Sequence, residues 1–374
     1  MIRPTVATVS LDAIRHNLDA IRSLLVREAA PGTGVIAVVK ANAYGHGAAD
    51  VALALEGAGA SMLACADIAE GVSLRHAGVK APVLVFGALS VSDLDGVFEH
   101  GLTPTVSSPA AARALEDAAA RRGVIVHCHL KIDTGMNRLG FRHDNLRRTM
   151  PDVLGSKHLK FDAVYTHFAT ADDPESEFLE EQRARFDRVM AALGALGLTG
   201  VKRHAANSAA LLRDRRTWYD WVRPGLLLYG IVPPPLSSSL DLRPALSLTS
   251  RIVAVKGLRP GEGTGYGLRW RTDQPRTIAI VPAGYADGLD TRLSGRGSAL
   301  VRGRRHPIVG SVCMDMLMVD VTGLDVAPGD EVVLIGRQGD ESLTAREMAA
   351  SIGAIPWEIM CRLGARIDRR YETS

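Results

Sequence analysis

Cysteine is scarce in this chain: four residues in 374, far apart and without a CxxC pair. That spacing gives no basis for a disulfide framework or a thiolate zinc site. Long apolar runs are missing too. No stretch reaches the roughly 18 residues of a membrane-spanning helix, and the opening "MIRPTVATVSLDAI" lacks a signal-peptide core. Nor is there an excess of one charge, since 44 Lys and Arg against 41 Asp and Glu leave only +3. So small a balance implies neither a nucleic-acid nor a membrane partner. The one basic cluster, "RGRRH" at 302–306, lies between two β-like runs and reads as a solvated hairpin turn. No HExxH, clustered His/Asp set or glycosidase-like acid pair stands out, so no metal is expected. A cytoplasmic globular protein with reduced thiols is the expectation.

What is present is alternation. From residue 35 to about 230, short apolar runs ("VIAVVK", "SMLACAD", "APVLVFGA", "LTPTVSS", "VHCHLKID", "FDAVYTHF", "VKRHAAN", "DWVRPG") are separated by helix-like, often Ala-rich segments. In one of these, Phe186, Val189, Met190 and Leu193 make the stripe of an amphipathic helix. Repeated β-then-α units imply a parallel sheet, and eight of them suggest an α/β (β/α)8 TIM-type barrel; an open doubly wound sheet is the alternative. The pattern stops at "IVPPPLSSSLDLRP" (231–244), where three prolines and three serines read as a linker. Beyond it, β-branched alternating runs and Gly/Asp/Pro turns indicate a mainly β domain with one helix near "TAREMAASIG". The expected domains are 1–235 and 236–374.

Barrels of this type gather functional groups at the C-terminal ends of their strands. The sequence places Lys40 after the first run, Arg138 past the fifth and His167 at the sixth. Asn207 and Ser208 follow the seventh, and Arg223 ends the eighth. Singly, each has an ordinary explanation: a snorkelling lysine, a surface arginine, a structural histidine. Six such groups at one barrel mouth are harder to explain that way. They suit a phosphate-bearing carbonyl cofactor, with Lys40 forming a Schiff base and Ser208 and N–H groups near Gly225 holding the phosphate. "GEGTGYG" (261–267) superficially resembles a dinucleotide loop, but "LRWRTDQ" follows instead of a helix, so it reads as a turn around Tyr266.

"AVVKANAYGHG" (37–47), "KIDTGMNRLGF" (131–141), "THFATAD" (166–172), "HAANSAA" (204–210), "RPGLLLYG" (223–230), "GTGYG" (263–267), "PAGYADG" (282–288) and "GSVCMDM" (310–316) occur in that order. Together they resemble the motifs of the alanine racemase family, over nearly the whole chain. The resemblance implies pyridoxal 5'-phosphate as cofactor, a barrel followed by a β domain, and a homodimer with shared active sites. It implies interconversion of L- and D-alanine by two bases acting on a pyridoxal-phosphate aldimine, supplying D-alanine for peptidoglycan. Lys40 matches the Schiff-base lysine and one base. Tyr266 matches the second base, on the opposite substrate face and contributed by the other subunit. Arg138 and Met314 match substrate-carboxylate contacts, the latter through its backbone and from the partner. Tyr44, Ser208, Gly225 and Leu226 match phosphate-binding positions, and Arg223 the arginine at the pyridine nitrogen. His167 sits beside the cofactor and the Tyr266 network, and Lys131 matches a lysine that is carbamylated in some members.

Physical chemistry is consistent with those roles. Unperturbed pKa values of about 10.4 for lysine and about 10 for tyrosine are too high for bases at neutral pH, so both must be lowered, as nearby positive charge can do. An arginine that stays protonated leaves the pyridine nitrogen largely unprotonated, which weakens the ring as an electron sink and limits transamination. Two departures bear on the entrance. Trp357 ("IPWEIMC") stands where the family usually has tyrosine, and Thr291 where it commonly has arginine, with Arg292 next to it as a possible substitute and Asp172 as the gating partner. The altered entrance leaves a second enzymatic reading, a racemase of broader range accepting serine or larger side chains; a non-catalytic pyridoxal-phosphate-binding protein is the alternative from another class.

Overall fold

The computed structural model describes residues 4–28, 30–89 and 94–373. The chain forms two compact units, one of residues 14–43 and 48–242, the other of residues 1–13, 44–47 and 243–374.

In the first unit, eight parallel strands close on themselves. Their ranges are β2 (Gly34–Val38), β3 (Met62–Cys65), β4 (Val83–Val85), β5 (Thr103–Val106), β6 (Val126–Asp133), β8 (Leu159–Tyr165), β9 (Lys202–Asn207) and β10 (Trp221–Arg223). Two pairings decide between barrel and open sheet: β2 bonds to β10, and β5 bonds to β6. The sheet has no free edge among these strands, so it is a (β/α)8 barrel. The first strands read as unbroken apolar runs because both faces are covered; β3 and β4 are buried at every position. Local sequence also sets the helices. The Pro109–Arg122 helix starts on Ser108, whose Oγ accepts from Ala111 N, has proline in its first turn, and ends on Gly123 at φ 63°. In the Phe178–Ala195 helix, Phe186, Val189 and Leu193 are buried and Met190 lies at the edge of that stripe. A two-residue strand β7 (Phe141–Arg142) pairs beside β6.

The second unit is built on β1 (Val6–Ser10), β11 (Leu246–Arg251), β12 (Ala254–Leu258), β15 (Arg276–Val281), β16 (Ser298–Val301), β17 (Arg304–Val309), β18 (Leu317–Asp320), β19 (Glu331–Gln338) and β21 (Asp368–Glu372). Their order is β12-β15-β18-β17-β16-β19-β11-β1-β21. The N-terminal strand therefore belongs to this sheet, antiparallel to β11 and parallel to β21. Two helices accompany it, Ala345–Ser351 and Pro356–Cys361; the sequence reading anticipated only the first, because six residues are too few to show periodicity. "RGRRH" is only partly a turn. Arg302 and Gly303 turn at φ 53° and 71°, the sign pair of a tight hairpin, and Arg304 to His306 already lie in β17.

Candidate active site

Strand β2 and Val39, whose N–H bonds Ala64 O at 2.8 Å, carry the chain to Lys40 at the barrel's C-terminal end. The turn beyond is wound left-handed. Ala41, Asn42, Ala43 and Tyr44 have φ of 52°, 53°, 54° and 51°. Residues with a Cβ adopt this conformation at a cost of about 1–2 kcal/mol each, so surrounding bonds must impose it. Ala43 N donates to Val39 O at 2.9 Å. Asn42 Oδ1 accepts from Ala48 N at 2.8 Å, and Glu70 Oε1 accepts from Ala41 N at 2.7 Å. Gly45 follows at φ 84°, where a Cβ would run into the Met360 carbonyl. Tyr44, at the end of the turn, groups with the β unit. Burial pushes its hydroxyl pKa up, and Cys361 adds to the effect.

Arg223 ends β10 and is only 3% exposed. Its Nη1 donates to His204 Nδ1 at 2.8 Å; its Nη2 donates to Thr166 O and Ala205 O, both at 2.8 Å, and to His167 Nδ1 at 3.3 Å. A guanidinium has no lone pair to offer, so both histidines accept and each carries its single proton on Nε2. His204 passes that proton onward, as Nε2–H donated to His129 Nδ1 at 3.0 Å. Burial, then Arg223, holds His204 and His167 well below the ordinary imidazole pKa. Burial lowers His129 to about 4 and Arg223 to about 10, so the arginine stays charged at neutral pH and the histidines do not. Tyr165 stacks on His204 at 4.6 Å and lies under Arg223 at 5.3 Å. A fixed cation thus points into the barrel mouth, flanked by a neutral His167 whose Nε2–H is not needed by Arg223.

A short stretch away, Ser208 opens the Ser208–Arg213 helix, capped by Asn207, whose Oδ1 accepts from Ala210 N at 2.9 Å. Gly225 precedes the 3-10 turn Leu226–Tyr229. Ser208 Oγ joins the two starts, accepting from Gly225 N at 3.0 Å and Leu227 N at 3.4 Å. Because that oxygen already accepts twice, its hydrogen is left to donate. Two helical N-termini and a donating hydroxyl suit a phosphate. With Arg223 two residues before Gly225, the donor set fits a ligand with an anion at one end and a ring acceptor at the other.

Lys131 lies on β6 two residues beyond His129, hence on the same face. It is 6% exposed, and burial, then Arg138 and Arg223, lowers its pKa to about 8, with Lys40 adding to the effect. The same three cations and Lys131 itself act on His167. Arg138 itself is exposed, on a loop shaped by Asp133 Oδ1, which accepts from Gly135 N at 2.9 Å and Asn137 N at 3.1 Å. The barrel unit therefore gathers Lys40, Lys131, Arg138, His167, Ser208, Arg223, Gly225 and Leu226 at one end.

Tyr266 and Met314 belong to the β unit. Tyr266 begins the 3-10 turn Tyr266–Leu268, between glycines at φ 75° and 72°, inside the hairpin of β13 (Gly263–Thr264) and β14 (Trp270–Arg271). The turn reading of "GEGTGYG" is correct. The ring is 77% exposed, over a cavity of about 540 Å³ shared with Cys313, Met314 and Met316. Cys313 O accepts from Tyr285 N at 3.0 Å, so in that trans peptide the Met314 N–H points away from Tyr285. Gly284 allows the approach, since a Cβ there would meet the Cys313 and Met314 carbonyls. Arg292 is not free to replace the missing arginine at Thr291. It is bound to Asp290 at 2.7 Å and Glu358 at 3.5 Å, while Arg362 bridges the same two acids. Those contacts fasten the helix that carries Trp357.

Several residues of the barrel site escaped the sequence reading: His204, His129, Tyr165, Glu70 and Gln182. Gln182 donates to Thr134 Oγ1 and His167 O, both at 3.1 Å, and accepts from Ala169 N at 2.8 Å. For His129 there was a signal, the two-residue spacing to Lys131. For Gln182 there was none in the motifs, because it lies beyond them on the following helix, 15 residues past His167.

Known proteins resemble the chain over nearly its whole length. A family model described as the alanine racemase N-terminal domain matches residues 9–233, and one for the C-terminal domain matches residues 245–371. An alanine racemase of Carboxydothermus hydrogenoformans is 43% identical, covering 99% of this chain and 100% of that protein. The alanine racemase of D-cycloserine-producing Streptomyces lavendulae superposes with a TM-score of 0.94 at 33% identity, over 100% of this chain and 98% of the other. That of Bartonella henselae, solved with covalently bound pyridoxal phosphate, gives 0.88 at 28% identity over 99% of each chain. The chain belongs to the alanine racemase family.

Proposed function

We propose that this protein interconverts L- and D-alanine with pyridoxal 5'-phosphate, using Lys40 and Tyr266 as bases on opposite faces of the substrate. When bound, the cofactor makes the α-hydrogen acidic by spreading the charge left behind. The protein does the rest. Lys40 holds the cofactor covalently and moves a proton on one face. Ser208, Gly225, Leu226 and Tyr44 would hold the phosphate, and Arg223 would donate towards the ring nitrogen. Arg138 and, from a second copy, the Met314 N–H orient the substrate carboxylate, and His167 donates through Nε2–H into the network around the second copy's Tyr266. D-Alanine made in the cytoplasm this way supplies peptidoglycan.

The observation that carries the two-base reading is the display of Tyr266. A tyrosine 77% exposed, with Leu268, Met314 and Met316 each 44–50% exposed, makes an apolar surface of the kind that marks an interface. A second copy covering that surface receives Tyr266 into its own site, so the working unit is a homodimer. A cofactor-storage protein has no use for such a display, and the broader-range reading has no specific contact in its favour. The test is α-hydrogen exchange in D2O with separate enantiomers. Tyr266→Phe is expected to abolish racemisation while still washing deuterium into one enantiomer through Lys40. Equal exchange into both enantiomers would refute the assignment.

A further inference from the structure

Glu70 lies at the third position of the Ile68–His76 helix, whose N-cap is Asp67, with Asp67 Oδ1 accepting from Glu70 N at 2.8 Å. A glutamate there commonly folds back on the N-cap amide. This one reaches further. Its Oε2 accepts from Ala66 N at 2.7 Å, the first amide beyond β3, and its Oε1 accepts from Ala41 N at 2.7 Å, the first amide beyond Lys40. β2 and β3 are paired neighbours in the barrel, so one carboxylate clamps the ends of both. Only a carboxylate does this with both oxygens, since a glutamine would set its amide N–H₂ against one of the two N–H groups.

We propose that Glu70 is a positioning residue for Lys40, fixing the peptide that follows it and anchoring the start of the left-handed turn. The proposal rests on the reading of Lys40 as the cofactor-bearing lysine. Helix capping alone does not account for the geometry, because Asp67 already caps the helix and Ala41 lies outside it. With the clamp in place, the lysine's backbone is held at the barrel mouth before any ligand arrives, so little ordering is left for the moment of attachment. Both bonds are short and charge-assisted, the stronger kind.

The test uses full-length wild type, Glu70→Gln and Glu70→Asp. The rate at which apoprotein joins pyridoxal phosphate to the lysine amine, with loss of one water, is followed by absorbance and scaled to the fraction of sites that fill. Glu70→Gln is expected to slow attachment about tenfold and lower kcat about tenfold, the loss of one charge-assisted bond's positioning, with KM held within about twofold. Glu70→Asp, too short to span both amides, is expected to be slowed as well. Unchanged attachment and kcat per filled site, with only a lowered Tm, would show a purely structural role and overturn the proposal. If the variants fail to fold, amide exchange on wild type decides: Ala41 N–H must be protected, and exchange at the rate of a free amide overturns the clamp. Borohydride reduction followed by peptide mapping keeps the two ideas apart. Label on Lys40 with unaltered variant rates defeats the positioning role alone, whereas label on another lysine defeats the underlying assignment.

Discussion

Replacing His204 with phenylalanine keeps the ring that stacks on Tyr165 at 4.6 Å and removes only the polar atoms. Two hydrogen bonds vanish with them, from Arg223 Nη1 at 2.8 Å and to His129 Nδ1 at 3.0 Å. A bond to a charged group contributes about 1.5–3 kcal/mol, and an acceptor left buried without a donor costs about 1–3 kcal/mol. The sum, about 2.5–6 kcal/mol, corresponds to a fall in Tm of roughly 5–24 °C at about 2–4 °C per kcal/mol for larger domains. Calorimetry on His204→Phe measures it. The structure makes a sharper demand of the double variant. In His129→Phe/His204→Phe the orphaned acceptor is gone, so about 1–3 kcal/mol should return relative to adding the two single losses. A strictly additive pair, or a His204→Phe protein within about 1 kcal/mol of wild type, would refute the relay from Arg223 through His204 to His129.

Ser208→Ala removes the oxygen that joins Gly225 N and Leu227 N as well as the free hydroxyl donor. Equilibrium titration of apoprotein should show pyridoxal-phosphate affinity reduced about ten- to a hundredfold, two bonds' worth. Lys131, lowered to about 8 by burial and by Arg138 and Arg223, keeps a usable fraction of free amine near neutrality. With 13C-bicarbonate, a carbamate NMR signal is expected in wild type and not in Lys131→Met. His129 sets an acid limit. Its folded pKa of about 4, depressed by burial from 6.5, means that between those values only the unfolded chain takes up the proton. This contribution to stability is fully present above pH 6.5 and is lost as pH falls towards 4, by about 3 kcal/mol in all. A denaturation series over that range should be flatter in His129→Phe.

The barrel was legible because its first strands are continuous apolar runs and several of its helices carry their own start or stop signals. Lys40, Ser208 and Arg223 were legible because they end such runs. What the pattern concealed has a common physical origin: partners that meet only after the barrel closes. His204 stands inside the motif "HAANSAA", yet its value lies in bonds to Arg223, 19 residues on, and His129, 75 residues back. Gln182 serves His167 from the middle of an otherwise ordinary amphipathic helix. The short helix carrying Trp357 escaped for a different reason: it is too brief for its buried Pro356, Ile359 and Met360 to show periodicity, and ion pairs add to their hold.

The turn after Lys40 is the most instructive of these. Glycine or asparagine normally signals a left-handed backbone, but the residues at 41–44 are Ala, Asn, Ala and Tyr. Local preference argues against the conformation at three of the four positions, so hydrogen bonds to groups outside the turn must impose it. Asn42 binding Ala48 N and Glu70 binding Ala41 N supply it. A backbone that contradicts its own residues and is held by side chains from other segments is the expected mark of a functional site. Here the contradiction begins at the residue immediately after the proposed catalytic lysine. If the turn served only to connect β2 to the next helix, Gly substitutions at 41 and 43 would relieve its strain and raise Tm while leaving activity unchanged. If its rigidity holds Lys40, the same substitutions loosen the lysine and lower kcat even where they raise Tm.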